Sequence, residues 1–312
     1  MKPKAERKGS NSGFHFYSLY QCCQRKFYLR MGPPRLEPMF IASPLLMGSA
    51  FHGGKALFYR TGNEKAALRL VRDELIDRKR EFESREEYLS VLDRTPAMLA
   101  SWIAEYGKDD LKHLNILDVE KAIKVPFPGK PGWHMTMRLD MVAEDRFDNL
   151  LVYETKSTSW SMVATSMFVS LGDQATTYIG GAEHYYKRRV TAVVPDITFF
   201  SKAAKNESSI KNYRGDFVYR DPEHVKFFYR GMAQVASEIT QKMRAVTNGH
   251  DPAIFPRNSF YCVAYGRPCE FAEVCRMNLT AKSKVPTGFR KTPGKFRTPE
   301  IFDTVDDAIA GG

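Results

Sequence analysis

Two neighbouring apolar segments constrain the fold of this chain more than any other feature. Residues 134–145, HMTMRLDMVAED, alternate apolar and other side chains, and residues 149–157, NLLVYETKS, form a nearly continuous apolar run. Alternation is typical of a strand, and a continuous run is typical of a strand buried on both faces. Because the polar connection between them is short enough for a hairpin, the sequence predicts two adjacent strands, the second of them buried.

These two strands carry two acids and a lysine. Asp140 lies on the first strand, and Glu154 and Lys156 lie two residues apart on the second. Since side chains alternate along a strand, Glu154 and Lys156 share a face while Thr155 points away, and a hairpin can bring Asp140 beside Glu154. Two carboxylates can hold a hard divalent cation that activates water, and a lysine can stabilise charge on a phosphate. The pattern indicates metal-assisted hydrolysis of a phosphodiester.

The triplet of an acid, any residue and a lysine is not specific by itself, since it occurs four times in the chain. Only Glu154/Lys156 follows an apolar strand with an acid on a preceding strand. The alternative interpretation is a salt-bridged strand end without a catalytic role. Burying two acids and a lysine without a function would be costly, which favours the catalytic interpretation.

Helical periodicity dominates residues 14–113, and strands and helices follow. Gly32-Pro33-Pro34 is predicted to stop the first helix, Gly62 the second, and Pro222 to begin the last. The predicted helices cover residues 14–32, 44–62, 63–92, 96–112, 166–187 and 222–246, and further strands cover residues 119–129, 190–201 and 216–220.

Charge and cysteine usage narrow the class of protein. A formal net charge of +11 favours a polyanionic partner such as nucleic acid. No apolar run approaches the roughly 18 residues of a membrane span, so we expect no membrane partner. The polar N-terminus lacks the apolar core of a secretory signal, and we expect a cytoplasmic protein. Five cysteines, two of them adjacent, fit a disulfide framework poorly and favour metal binding or burial.

Several motifs together resemble the PD-(D/E)XK nuclease superfamily. RLDMV and LLVYETKS resemble its Asp…Glu-x-Lys core, with Leu139 where proline is usual. YSLYQCCQRKFYLR resembles the N-terminal segment of RecB-like nucleases, GSAFHGG the Gly-x-x-x-His motif, and DQATTYIGG the Gln-x-x-x-Tyr motif. Each motif is weak alone, but their order and spacing extend along most of the chain.

The resemblance implies roles for the central residues. His52, Asp140 and Glu154 would bind Mg²⁺ or Mn²⁺, with the backbone carbonyl of Thr155 as a further ligand, and Lys156 would assist the attacking water. Without the other motifs, a lone histidine in an apolar helix is more often a core residue than a ligand.

Further residues are candidates for contacts with DNA. Gln174 and Tyr178 lie at positions i and i+4, on one helix face that approaches the site and DNA in the family. A plain amphipathic helix is the alternative. Aromatic residues such as Tyr178 could stack on unpaired bases. The candidate phosphate contacts are Arg25, Lys26, Lys187, Arg188 and Arg189, although surface charge is usually only solvated.

The cysteines have a counterpart in the same resemblance. In the branch that includes AddB and the CRISPR-associated adaptation nucleases, one cysteine near the N-terminus and three near the C-terminus hold a four-iron–four-sulfur cluster. Cys23 matches the first position, and Cys262, Cys269 and Cys275 match the others, which leaves Cys22 spare. Four thiolates also suit zinc, but zinc sites usually contain a Cys-x-x-Cys pair, which is absent here.

The resemblance implies an α/β, restriction-endonuclease-like core. We expect a mixed central sheet flanked by helices, a helical N-terminal region and an iron–sulfur staple between the chain ends. A disordered segment over residues 1–13 would precede a single nuclease domain over residues 14–280, and a flexible basic tail over residues 281–312 would follow. Within the domain, helices would fill residues 14–113, the catalytic sheet residues 114–220, and the last helix and cysteine segment residues 221–280.

The function implied is a metal-dependent DNA exonuclease acting on single strands or ends, in recombination, repair or DNA processing. It would work alone or with a helicase, recombinase or CRISPR-type partner, in the cytosol of a bacterium or phage-infected cell. The alternatives are a non-catalytic DNA-binding module and a structure-specific endonuclease.

Overall fold

The computed structural model describes residues 13–201, 210–264 and 267–292. The predicted disordered N-terminus and most of the predicted basic tail therefore lie outside the described residues. The chain divides into two compact units. Unit 1 comprises residues 1–39, 124–137 and 226–312, and unit 2 comprises residues 40–123 and 138–225. The single nuclease domain over residues 14–280 stays a prediction.

Nine α-helices occur in the described part of the chain, and several begin or end at residues that are typical helix caps. The α3 helix ends at Gly62, whose positive φ of 65° suits glycine. The N-caps of α4 and α5 are Asn63 and Ser84, each of which accepts a backbone N–H. The helices are α1 (Phe14–Cys22), α2 (Gln24–Met31), α3 (Ser43–Thr61), α4 (Glu64–Asp77), α5 (Arg85–Trp102), α6 (Lys108–His113), α7 (Met162–Leu171), α8 (Asp173–Tyr186) and α9 (Pro222–Thr247).

Three predicted helices of unit 2 are divided differently in the structure. The helix expected over residues 63–92 breaks between α4 and α5, where Phe82 is buried and Ser84 caps the next helix. The helix expected from Pro96 is the second half of α5, a π-helical turn (Ile103–Gly107) and α6. The helix expected over residues 166–187 is two helices separated at Gly172, whose backbone is extended.

A five-stranded sheet has the order β2-β3-β4-β5-β6. The β4 strand is antiparallel to β3 and parallel to β5, while β6 is antiparallel to β5. Since α3, α7 and α8 pack against the central strands, the predicted mixed sheet flanked by helices is confirmed. The strands are β1 (Leu36–Pro38), β2 (Asn115–Pro126), β3 (His134–Glu144), β4 (Leu150–Thr158), β5 (Val190–Phe200), β6 (Ile210–Arg214), β7 (Val263–Ala264), β8 (Arg267–Pro268) and β9 (Phe289–Lys291).

The core of unit 2 explains why β4 is so apolar. Residues 150–154 of β4 are all buried, and helices α3, α4 and α5 contribute buried side chains to the same cluster. Trp102 and Phe58 are both almost fully buried and meet edge to face, with ring centroids 6.3 Å apart. This packing fixes α3 beside the strand that carries the acid–lysine triplet.

Unit 1 has an aromatic core of its own. Phe16, Tyr20, Phe27, Tyr28 and Phe255 are all buried, and Tyr28 stacks on Phe255 with centroids 5.2 Å apart. In addition, β1 pairs with β9, and β7 pairs with β8.

The single helix expected over residues 14–32 is two helices, because Cys23 interrupts it. Cys23 has an extended backbone, with φ −159° and ψ 107°, and stands between α1 and α2. Its N–H still donates to Leu19 O at 3.0 Å, so the first helix is closed before the second begins.

Among the described residues, no helix has both the length and the apolar character needed to cross a membrane.

Candidate active site

The site forms where the pairing between β3 and β4 ends. The register of the two strands runs from Glu144↔Leu150 to Met141↔Tyr153, so Asp140 and Glu154 lie just beyond the last pair. Here the N–H of Thr155 donates to Asp140 Oδ2 at 2.8 Å. The predicted proximity of Asp140 to the Glu154–Lys156 triplet is therefore present in the geometry.

A histidine and a further acid join Asp140. His52 Nδ1, from α3, lies 3.4 Å from Asp140 Oδ1 and 3.6 Å from Glu120 Oε1, from β2. Ligand atoms of these three residues all lie within 4.8 Å of one another, and no second such group occurs among the described residues. Sequence reasoning missed Glu120: nothing in its strand pattern separates it from the other charged residues nearby.

The backbone of Glu120 is unusual for a residue in a strand. Its φ is +55°, a left-handed value that non-glycine residues rarely adopt. Strained conformations of this kind cluster at functional sites because the surrounding structure must hold them in place. The residue held in this conformation carries one of the three candidate ligand groups of the site.

The carboxylates hold a proton on His52. Burial by itself lowers the pKa of the imidazole, but Asp140 and Glu120 outweigh it and raise the pKa to about 10. Burial of Asp140 raises the pKa of its carboxyl group. His52, Lys156 and the Thr155 N–H outweigh that effect and leave the pKa below its usual value. The imidazolium thus balances two carboxylates, a place that a divalent cation can take when the histidine releases its proton.

Glu154 is the least satisfied group of the site. Its side chain is 1% exposed, and apart from the Lys156 ammonium no donor reaches either carboxylate oxygen. Lys156 forms an ion pair with Oε1. Burial is the main reason that the pKa of Glu154 rises to about 7, since Lys156 lowers it only in part. Burying a carboxylate with one ammonium as its partner is unfavourable, and a bound cation would offset that penalty.

This donor set fits a hard divalent cation. Carboxylate oxygens are the ligands that Mg²⁺ and Mn²⁺ prefer, and a neutral imidazole nitrogen can complete the set in a transition-metal site. A cavity of about 10 Å³ has room for one water-sized species; it is lined by His52, Glu120, Asp140 and Thr155 and also by Lys55 and Asp196, but not by Glu154.

The comparison with protein families decides the identification. The sequence profile of the PD-(D/E)XK nuclease superfamily matches residues 16–276. The chain belongs to this superfamily. Its members are metal-dependent nucleases, which agrees with the cluster of acids and histidine.

The other comparisons add little. A search of curated proteins gave no significant match. A solved structure titled "Crystal structure of SSO0001" is similar at 13% identity, over 78% of this chain and 89% of that chain, with a TM-score of 0.31. A likeness of this size carries no argument about fold or function.

In this PD-(D/E)XK chain, the Gln-x-x-x-Tyr residues lie beside the lysine. Lys156 Nζ donates to Gln174 Oε1 at 3.0 Å, and Gln174 Nε2 donates to Tyr178 OH at 3.1 Å. Tyr178 is only 6% exposed, so its ring has little surface open to a base. The geometry connects Tyr178 to the site through Gln174 rather than through an exposed ring face.

The basic residues at the end of α8 lie away from the acids. Arg188 pairs with Glu144, and Arg189 pairs with Glu183 at 2.8 Å. Lys187 caps the helix with a φ of +55°. Because Val190 pairs with Leu150 at the start of β4, these residues stand about 15 Å along the strands from Thr155. If these residues contact DNA, they would bind a part of it distant from the phosphate that is hydrolysed.

Arg25 and Lys26 contact the cysteine segment in unit 1. The Arg25 guanidinium is 9% exposed and donates to the carbonyls of Cys275, at 3.2 Å, and Met277. Lys26 donates to Glu270 at 2.9 Å. Their role as phosphate contacts stays a prediction; the contacts observed join α2 to residues 270–277.

The four cysteines matched to the cluster occupy one region of unit 1, and none forms a disulfide. Cys23 Sγ accepts the N–H of Asn258 at 3.5 Å, and the N–H of Cys269 donates to Cys262 O at 2.8 Å. Burial raises the pKa values of the Cys269 and Cys275 thiols, and the charge of Cys23 acts on both in the same direction. Cys23 therefore lies near Cys262 and Cys275, although they are more than 230 residues apart in the sequence.

Proposed function

We propose that this chain is a metal-dependent DNA exonuclease of the RecB-like branch. The observation that carries the proposal is the carboxylate of Glu154, which is 1% exposed, forms an ion pair with Lys156 and lies beside Asp140. Membership of the superfamily supports nuclease activity, while the sequence motifs, the net charge and the exposed aromatic side chains support the exonuclease activity and the branch.

In the proposed hydrolysis, one set of residues binds the metal ion and another positions the ammonium group of Lys156. His52, Glu120, Asp140 and Glu154, with the carbonyl of Thr155, would hold Mg²⁺ or Mn²⁺. A bound ion of this kind lowers the pKa of water and neutralises charge on a phosphate. Lys156 is 34% exposed, so its ammonium can reach solvent and a substrate while it remains beside Glu154. Gln174 orients that ammonium through its hydrogen bond.

Exposed aromatic side chains support a single-stranded or frayed substrate. Trp160 and Phe168 are 54% and 63% exposed, and both follow β4 closely, on or just before α7. Aromatic faces stack on unpaired bases with little regard to sequence. With the net charge of +11, this favours a DNA end or single strand as the substrate.

A four-iron–four-sulfur cluster on Cys23, Cys262, Cys269 and Cys275 is part of the proposal. Two backbone donors already point at sulfur: Asn258 N–H at Cys23, and Phe271 N–H at Cys269, both at 3.5 Å. Hydrogen bonds to the sulfurs are typical of protein-bound clusters. The role is structural, because hydrolysis needs no electrons, and zinc is the competing occupant.

The biological setting is proposed more broadly. The chain would act in DNA recombination, repair or processing, alone or with a helicase, recombinase or CRISPR-type partner. The support is the resemblance of its motifs to RecB-like nucleases.

End-labelled DNA tests the exonuclease. Anaerobically purified protein is incubated with Mn²⁺ and single-stranded DNA labelled at either end, beside the same sequence as a closed circle. The expected result is progressive release of one label and an intact circle. Cleavage of the circle would instead show an endonuclease, and metal-independent binding of both substrates without cleavage would show a binding module.

A further inference from the structure

A buried ammonium lies behind the metal site, on the face of β4 opposite Glu154 and Lys156. Lys55, from α3, is 5% exposed, and its Nζ donates to Thr155 Oγ1 at 2.8 Å and to Asp196 Oδ2 at 2.7 Å. Asp196, from β5, is 1% exposed and also accepts Trp102 Nε1 at 3.1 Å. Lys55, Asp196 and Trp102 are not part of the proposed metal-binding set.

Burying the Lys55–Asp196 ion pair requires both charges to lose their hydration, which is unfavourable. Replacing a buried ion pair with apolar residues of similar volume is often neutral or stabilising, so stability alone does not explain the pair. Burial lowers the pKa of Lys55, although the carboxylate of Asp196 opposes that effect. Lys55 also lies over the Trp102 ring, 4.1 Å from its centroid. The ammonium is held by three partners in one orientation.

Thr155 connects this pair to the metal site. Its hydroxyl accepts from Lys55, while its N–H donates to Asp140 Oδ2 at 2.8 Å. Its position on β4 is paired with Asp196 on β5. One residue therefore receives a bond from the buried ammonium and gives a bond to a carboxylate of the site.

The α3 helix supplies both the site and its support. His52 and Lys55 are three residues apart and so lie on neighbouring positions of one helix face. His52 reaches Asp140 directly, whereas Lys55 reaches it through Thr155. A displacement of this one helix face would disturb both contacts together.

We propose that Lys55, braced by Asp196, is a positioning residue that fixes Thr155 and thereby the orientation of Asp140 in the metal site. This rests on the proposed metal site. Groups that orient metal ligands typically change metal affinity about 10- to 100-fold when they are removed.

Four variants separate positioning from stability. Lys55→Met removes the ammonium, and Lys55→Met/Asp196→Asn also removes the charge of Asp196, which would otherwise keep only Trp102 and Arg214, 3.8 Å away, as partners. Thr155→Val removes the hydroxyl but keeps the Lys55–Asp196 pair. The control is Leu75→Ala, which truncates a fully buried core side chain of α4 in the same unit.

The measurement is Mn²⁺ affinity in the full chain, from the electron paramagnetic resonance signal of free Mn²⁺, with thermal unfolding followed by circular dichroism. We expect binding at least about 10-fold weaker in Lys55→Met, in the double variant and in Thr155→Val. Leu75→Ala should unfold at a lower temperature and bind Mn²⁺ as the wild type does.

The outcomes are distinguishable. Wild-type affinity in Thr155→Val and in the double variant would overturn the positioning role and leave a structural pair. If Lys55→Met does not fold, Thr155→Val decides by itself. A folded wild type that binds no Mn²⁺ would refute the proposed metal site, and the positioning role with it.

Discussion

The buried carboxylate of Glu154 predicts an unusual dependence of stability on pH. Burial raises its pKa from 4.5 to about 7 in the folded protein. Because one pKa unit corresponds to about 1.4 kcal/mol, ionised Glu154 costs roughly 3 kcal/mol of folding free energy in metal-free protein at pH 8.5. At pH 5 the cost is below about 1 kcal/mol, since the folded state still carries the proton.

The direction of this pH dependence follows from how tightly the folded and unfolded states bind the Glu154 proton. Between pH 4.5 and about 7 the folded protein binds the proton more tightly than the unfolded chain, so the contribution of Glu154 to stability falls as pH rises through this window. Glu154→Gln keeps the size of the side chain but removes the titration. The variant should therefore gain about 2–3 kcal/mol relative to the wild type between pH 5 and pH 8.5.

Urea unfolding in EDTA at both pH values measures this difference. The control is Glu83→Gln, the same substitution at an exposed position, whose difference from the wild type should not change with pH. Parallel pH dependence of the wild type and Glu154→Gln would refute the reasoning. It would mean that Glu154 is ionised in the folded state at no cost, through a donor that the structure does not show.

Three further predictions concern the lysine, the cysteines and the core. Lys156→Met should lower the cleavage rate at least about 100-fold without weakening Mn²⁺ binding, measured by single-turnover digestion and by titration; weaker binding would make the lysine part of the ion's support. Cys23→Ser should lose iron and visible absorbance after anaerobic purification while Cys22→Ser keeps both, and equal retention would exclude Cys23 as a ligand. Phe58→Ala should cost about 3–5 kcal/mol in urea unfolding, because its ring is buried against Trp102; a cost below about 1 kcal/mol would contradict that packing.

The local periodicity of the sequence predicts most of the sheet and many helix ends. The strand around Asp140 and the buried strand up to Lys156 stand out because their side-chain pattern follows their burial. The β6 strand is missed because IKNYR is largely polar and only alternately half-buried. The segment expected as a strand over residues 216–220 contributes one isolated bridge, from Val218 to Val193.

Helix breaks are harder to predict than helices. At Gly172 a side chain would lie 2.5 Å from the carbonyl oxygen of Phe168, so glycine allows the chain to leave α7 and begin α8 at once. At Cys23 the break depends on tertiary contacts, including the N–H of Asn258 at its sulfur. A pattern confined to neighbouring residues holds no information about a partner 235 residues away.

The same limit applies to the site. Asp140, Glu154 and Lys156 are predictable because a hairpin and strand alternation bring them together locally. Glu120, Lys55 and Asp196 reach the site or its support only through the packing of β2, α3 and β5. Their burial and contacts, rather than their neighbours in sequence, identify them.

The central claim is that His52, Asp140 and Glu154 form the metal site of a nuclease. The most direct test is digestion of labelled single-stranded DNA by metal-free wild type and Glu154→Gln across a titration of Mn²⁺. Cleavage that rises with Mn²⁺ in the wild type and is absent from the folded variant is the predicted result. Equal cleavage by both proteins, or none by a wild type that binds DNA, would contradict the claim.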